Sequence, residues 1–163
     1  MNTVNIVIVA VTILISLLIL AFIVDWRYFN EWVVVYLFKS MLDLLLDNIA
    51  VSHHLLGYPQ RLLPQYFQSN LLFDFFVFPV VCIWYNQVTR EKKLAGIILY
   101  AFLFSAVMTA VEFPIERWTE LLDYVRWTSF TTFYTLFVAF LVSRGFMAFY
   151  RWGSRRFGNI RPL

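Results

Sequence analysis

Residues 3–24 read TVNIVIVAVTILISLLILAFIV, without a single Asp, Glu, Lys or Arg. As a helix rising ~1.5 Å per residue, that run is long enough to cross a hydrocarbon layer ~30 Å thick. A signal peptide would want a basic start, a shorter apolar centre and a small-residue cleavage site. MNTVN has no basic residue, so the segment reads as a retained first membrane helix. The rest of the chain has the same character. Of 163 residues 61% are hydrophobic, 20% aromatic and 14% charged, whereas ordinary globular chains carry roughly 25% charged residues. This excludes a water-soluble domain and a disordered chain. The single Cys82 excludes a disulfide scaffold. The length leaves room for about five spans of ~20 residues, so the sequence predicts an all-α, polytopic membrane helix bundle. Residues 1–150 form one transmembrane domain in this reading, and 151–163 form a mobile basic cytoplasmic tail.

The second span runs from about Trp32 to Leu56 and is interrupted by Lys39, Asp43, Asp47 and Asn48. GYPQRLLPQYFQSN (57–70) reads as a connection along the membrane surface. The third span, about Leu71 to Val88, carries Asp74 near its start and Pro79, which can kink it. After TREKK comes a fourth span over 94–113, with Pro114 expected to bend or end it. The alternation in PIERWTELLDYVRW suggests a short surface helix, and a fifth span covers roughly Thr128 to Tyr150.

Cytoplasmic connections carry the excess of Lys and Arg. Five spans with the N-terminus outside put Arg27, Arg90, Lys92, Lys93, Arg151, Arg155, Arg156 and Arg161 inside, against Arg61, Arg117 and Arg126 outside. The Trp residues fall near the expected interfaces. The sequence therefore predicts N-out, C-in, and the positive charge is a topology signal rather than a sign of nucleic acid. Membrane lipids are the expected partners, with a second copy or another membrane protein as a further possibility.

Charges within spans usually face a bundle interior or a wet cavity. Lys39, Asp43 and Asp47 recur at i, i+4, i+8 and form one stripe, which His54 would continue. Measured from Trp32, Asp43 lies roughly 16 Å and Asp47 roughly 22 Å along the helix. Asp74, Glu112 and Glu116 enter from other spans at the same outer level, with His53, Arg61 and Arg117 nearby and Asn48 and Ser40 flanking. Together they predict an outward-facing polar cavity, to which Thr128, Thr131, Thr132 and Thr135 add hydroxyls. The candidate ligand-binding residues are Asp43, Asp47, Asn48, Asp74, Glu112, Glu116, Arg61 and Arg117.

Each of these has a plainer explanation. Lys39 and Asp43 can be a structural ion pair holding helices together, and Asp74 can cap the third helix through its exposed N–H groups. Glu112, Glu116 and Arg117 can be interfacial charges at a bent helix end. Adjacent His53 and His54 point in different directions and make a poor metal or haem pair. The DxxxD of Asp43 and Asp47 is similar to the magnesium-binding aspartates of membrane prenyl transferases, but those need a second acidic motif, and Lys39 would compete with the metal. Glu112 and Glu116 could pair as acid and base. No CxxC, nucleophile elbow, Walker loop, HExxH or deaminase signature accompanies them, so the sequence assigns no cofactor and leaves a metal open.

The segments KSMLDLLLDNIAV, YPQRLLPQYFQSN and FDFFVFPVVCIWYNQ, with the later EFPIERW, resemble an uncharacterised family of small multi-spanning membrane proteins of spore-forming Firmicutes over about residues 32–150. The resemblance implies a bacterial plasma membrane and brings no settled activity or ligand. By matched segment it points to Asp43, Asp47, Asn48, Arg61, Pro64, Asp74, Pro79, Glu112 and Pro114. Three functional expectations follow. The first is an acidic cluster that binds or transports a polar or cationic ligand or relays protons. The second is an enzyme processing a lipid or isoprenoid, with an acyl-chain-shaped tunnel meeting the carboxylates. The third is a non-catalytic scaffold subunit of a membrane complex.

Overall fold

The computed structural model describes residues 3–60 and 65–157. The described residues are mostly helical. Helix α1 (Thr3–Leu18) runs on into a wider π turn (Ile19–Ile23), and α2 (Phe29–Ser52) is entered through a 3-10 turn (Trp26–Tyr28). The regular part of α3 (Phe78–Val88) follows a π turn (Phe73–Val77), and α4 (Leu94–Trp118) and α5 (Ser129–Phe157) complete the set. Two short strands, β1 (Leu56–Gly57) and β2 (Asp123–Tyr124), pair antiparallel with Leu56 opposite Tyr124. Among the described residues three stretches are long and apolar enough to cross a membrane: Thr3–Ile23, Leu94–Trp118 and Ser129–Phe157. Helix α2 has 24 residues, about 36 Å at 1.5 Å each, but carries Glu31, Lys39, Asp43 and Asp47. Phe73–Val88 is apolar but shorter.

Local chemistry sets the helix ends. In α1 the hydroxyls of Thr12 and Ser16 donate to the carbonyls of Ile8 and Thr12 one turn back, at 2.8 and 2.9 Å, so an otherwise apolar helix leaves neither hydroxyl idle. Asp25 ends the first connection. Its carboxylate accepts from the Arg27 backbone N–H at 3.1 Å and from the Arg27 guanidinium, and these bonds hold it below the usual carboxylate range. Helix α2 stops in a Schellman motif: Leu55 N–H bonds the Ala50 carbonyl at 3.0 Å and His54 N–H bonds that of Val51 at 2.9 Å. His54 occupies the left-handed position, φ 53°, where glycine is usual. The acidic stripe therefore ends before His54, and His53 and His54 stand exposed.

Helix α3 is started by Asn70, whose Oδ1 accepts from Leu72 N–H at 3.3 Å. The capping role expected of Asp74 belongs to Asn70, and Asp74 sits inside the first turns, fully buried. Pro79 has no N–H to give the carbonyl four residues back, that of Phe75. The Tyr36 hydroxyl of α2 donates to that carbonyl instead, at 2.7 Å. The π turn immediately before Pro79 is a usual way for a helix to absorb such a defect.

Two expected boundaries move. Helix α4 passes through Pro114 and runs to Trp118, so Glu116 and Arg117 lie on its last turn. In place of a separate surface helix over 114–127 there is that turn followed by β2. Helix α5 extends past Tyr150 to Phe157, so residues 151–157 of the expected tail are helical. Residues 158–163, with Arg161, lie outside the described residues.

Helix α3 occupies the centre and packs against all four others. Val80, Cys82, Ile83, Tyr85 and Asn86 are buried there, and the Tyr85 ring lies 4.9 Å from Phe140 of α5 and 5.7 Å from Phe104 of α4. These ring contacts add dispersion and tilted or edge-on aromatic attraction to the packing. Successive helices run in opposite directions, so polar contacts gather at two ends. At one, Glu31 accepts from Arg151 at 2.7 Å and from Arg90 at 3.3 Å, and Arg90 also lies over the Tyr28 ring. Arg144 donates to the Arg90 carbonyl at 3.0 Å, at the C-terminus of α3, where positive charge is favoured. Gln87 bonds Asp25 N–H and the Ile23 carbonyl. At the other end Asn5 of α1 donates to Gln60 at 2.8 Å, and Gln60 donates to Glu120. That second end holds the β1–β2 pair and the carboxylates.

Candidate acidic site

The α2 stripe faces the bundle interior through Lys39 (1% exposed) and Asp43 (7%). They form a buried i, i+4 ion pair through Asp43 Oδ1, leaving Asp43 Oδ2 buried without a hydrogen bond. Lys39 Nζ also lies 5.5 Å from the centre of the Phe78 ring. One turn on, Asp47 Oδ2 accepts from the Tyr58 hydroxyl at 2.5 Å. Asp74 of the π turn comes up against Asp47 and Ser69, but neither of its oxygens makes a hydrogen bond of ordinary geometry. Two carboxyls from different helices thus share one buried corner, beside the neutral Lys39–Asp43 pair.

Glu112 of α4 forms the facing wall. Its Oε1 accepts from the Tyr124 hydroxyl at 2.5 Å and from Thr132 at 3.0 Å. Tyr124 and Thr132 are 2.8 Å apart, and Trp127 Nε1 donates to Thr132 at 2.8 Å. Tyr58 stands between the two groups. Burial, with Asp47, Asp74 and Glu112 around it, pushes its phenol well above the ordinary tyrosine value. Burial and then Glu112 do the same to Tyr124.

A cavity of about 220 Å³ opens among these groups, lined by Lys39, Asp43, Asp47, Tyr58, Glu112 and Thr132 together with Thr135, Trp127 and apolar side chains of α2 and α5. A second hollow of about 250 Å³ lies on the other side of Tyr58 and Glu112. It is an apolar slot between α1 and α4, floored by Phe73, Val77, Phe78, Val81 and Trp84. Tyr58, Phe78 and Glu112 line both.

Several sequence candidates stand elsewhere. Asn48 is exposed and bonds the Leu44 carbonyl of its own helix at 2.7 Å. Glu116 is near enough to act on Glu112 through its charge, but neither it nor the exposed Arg117 lines the cavity. Thr128 and Thr131 bond each other at 2.9 Å at the start of α5, and only Thr132 and Thr135 reach the cavity. Arg61 and Pro64 lie outside the described residues. Sequence reasoning missed Tyr58, Tyr124 and Trp127, whose side chains arrive from connections brought together by the β1–β2 pair. Among the described residues no three His, Cys, Asp or Glu side chains are grouped so as to hold a metal ion. Comparison of the chain with protein-family models, curated proteins and solved structures finds no match.

Proposed function

We propose that this is a five-span integral membrane protein of a bacterial plasma membrane, N-terminus outside and C-terminus cytoplasmic, whose acidic cavity binds a small cation or relays protons. One observation carries the reading: Asp47 and Glu112 line one cavity from two helices, Asp74 of a third is buried beside Asp47, and among the described residues the one lysine lining that cavity is already engaged by Asp43. Unpaired carboxylates in a low-dielectric interior are costly unless a cation or a proton joins them. The Tyr124–Thr132–Glu112 triangle also suits proton exchange, since two hydroxyl protons serve three oxygen–oxygen contacts. Support for the topology comes from the alternating helix directions and from the collection of Arg27, Arg90, Lys92, Lys93 and Arg151 at one end. The four sequence segments that resemble the Firmicutes family support the bacterial membrane.

Ethylammonium titrated onto protein in lipid nanodiscs is expected to change the fluorescence of Trp127, isolated by comparison with Trp127→Phe. Asp47→Asn combined with Glu112→Gln is expected to abolish that response while leaving insertion intact. An unchanged response in the double variant refutes the reading. With Cys82→Ser as background, a cysteine at Lys92 is expected to resist an impermeant maleimide in intact cells, and one at Glu120 to react. The reverse pattern overturns the orientation.

A second reading, a lipid- or isoprenoid-processing enzyme, is favoured by the apolar slot that reaches Glu112 and Tyr58. It requires turnover of a bilayer lipid that Glu112→Gln abolishes, seen by mass spectrometry. Conversion that persists in that variant removes Glu112 from the chemistry.

A further inference from the structure

The acidic cavity and the apolar slot share a wall, and that wall is polar. Glu112 and Tyr58 line both. The two hydrogen bonds that Glu112 accepts among the described residues fall on Oε1, leaving Oε2 for another partner. Behind it, Asp43 is more than nine-tenths buried, lines the cavity, and keeps Oδ2 without a hydrogen bond. A ligand entering the slot headfirst therefore meets the Glu112 carboxylate at one end, with the carboxylates of Asp43 and Asp47 across the shared wall in the cavity. Along its length it meets Val77, Val81, Val107, Met108 and Val111, and at the far end Trp84. From Glu112 to Phe104, whose ring is 5.2 Å from Trp84, the helix rise gives about 12 Å. That is the reach of a medium-length alkyl chain. Ile15 of α1 and Val107 and Val111 of α4, which border the slot, are each about half exposed on the outer surface of the bundle, the side on which a bilayer would supply the chain.

On the basis of the cation-binding reading above, we propose that the ligand is a medium-chain alkylamine, with its ammonium at Glu112 and its alkyl chain in the slot between α1 and α4. Charge selects the head. A carboxylate or phosphate head would be repelled by Asp47, Asp74 and Glu112, and a neutral head would forgo the ion pair. The apolar walls select the chain, through area removed from water.

The test uses the protein in phosphatidylcholine nanodiscs with ω-bromododecylamine and ω-bromododecanol at equal mole fraction in the bilayer. Bromine quenches tryptophan on contact, and Trp84 is isolated by comparison with Trp84→Phe. The amine is expected to quench Trp84 at one tenth or less of the alcohol concentration, and Glu112→Gln is expected to erase that preference. Met108→Trp, which fills the slot, is expected to reduce dodecylamine affinity at least ten-fold, toward that of ethylammonium. Equal quenching by amine and alcohol, or none at Trp84, overturns the proposal. If ethylammonium still perturbs Trp127 in that case, the cation site survives and only the chain assignment fails. If ethylammonium is silent too, both fail.

Discussion

Replacing Tyr36 by Phe removes one hydroxyl and keeps the ring. The hydroxyl's partner is the Phe75 carbonyl, 2.7 Å away, which the missing N–H of Pro79 leaves without its usual helical donor. In water such a carbonyl would recruit solvent at small cost. In hydrocarbon it stays bare, and a stranded acceptor costs about 1–3 kcal/mol, although interhelical hydrogen bonds in membranes have measured nearer ~0.6, with ~1.7 the upper end. The expected loss is therefore about 1 kcal/mol, roughly a five-fold shift in the unfolding equilibrium at 25 °C. Reversible unfolding of the protein in mixed micelles, followed by helical circular dichroism, measures it. The causal link to proline is tested by a double-mutant cycle. Pro79→Ala supplies an N–H, so Tyr36→Phe should cost at most a few tenths of a kcal/mol in the Pro79→Ala background. If Tyr36→Phe costs the same with proline or alanine at position 79, the hydroxyl is not standing in for the proline's missing donor, and the account is wrong.

Other perturbations address other parts of the fold. His54→Gly should raise stability by about 1 kcal/mol, because a residue bearing a Cβ pays ~1–2 kcal/mol in the left-handed region; an unchanged or lowered midpoint contradicts the Schellman assignment. Glu31→Gln leaves Arg90 and Arg151 without their shared carboxylate and should cost about 1–2 kcal/mol in the same assay, less at high salt; no loss would make the clamp incidental. Alkali gives a further check. Tyr58 and Tyr124 titrate above the ordinary tyrosine value near 10, so the folded state holds phenolic protons that the unfolded chain releases first. Their contribution is fully present below that value and is lost as pH rises through it. Tyr58→Phe with Tyr124→Phe should flatten this alkaline decline, and an unaltered slope assigns it elsewhere.

Much of the fold was legible because apolar length is a local property. The uncharged run 3–24 nearly coincides with Thr3–Ile23, and the fourth and fifth segments start where charge stops. The i, i+4 stripe of Lys39, Asp43 and Asp47 follows from helix geometry alone, and its first two members meet as an ion pair. Where the reading failed, a non-periodic interaction decided the outcome. A pattern cannot reveal that His54 takes a left-handed conformation or that α4 tolerates Pro114. The site itself was half legible. Its carboxylates announce themselves as charges in apolar segments. Tyr58 and Tyr124 are ordinary connection residues until Leu56 pairs with Tyr124, residues far apart in the chain whose pairing leaves no sequence signal. Asn48 shows the opposite error: it adjoins Asp47 in sequence, yet one residue is a ~100° turn on a helix, enough to point it away.

The helix at the middle of the bundle is also the shortest. Phe73–Val88 rises only about 24 Å, less than the ~30 Å of hydrocarbon its neighbours would traverse. A barrel with a short central stave is dished. Backbone outside regular helix is tolerated at such depth only behind protein or beside water, and Ser69, Asn70 and Tyr58, which lie outside the helices at that end, are all buried within the protein. In a bilayer crossed by α1, α4 and α5, that shortfall would set these polar groups below the surface of the hydrocarbon.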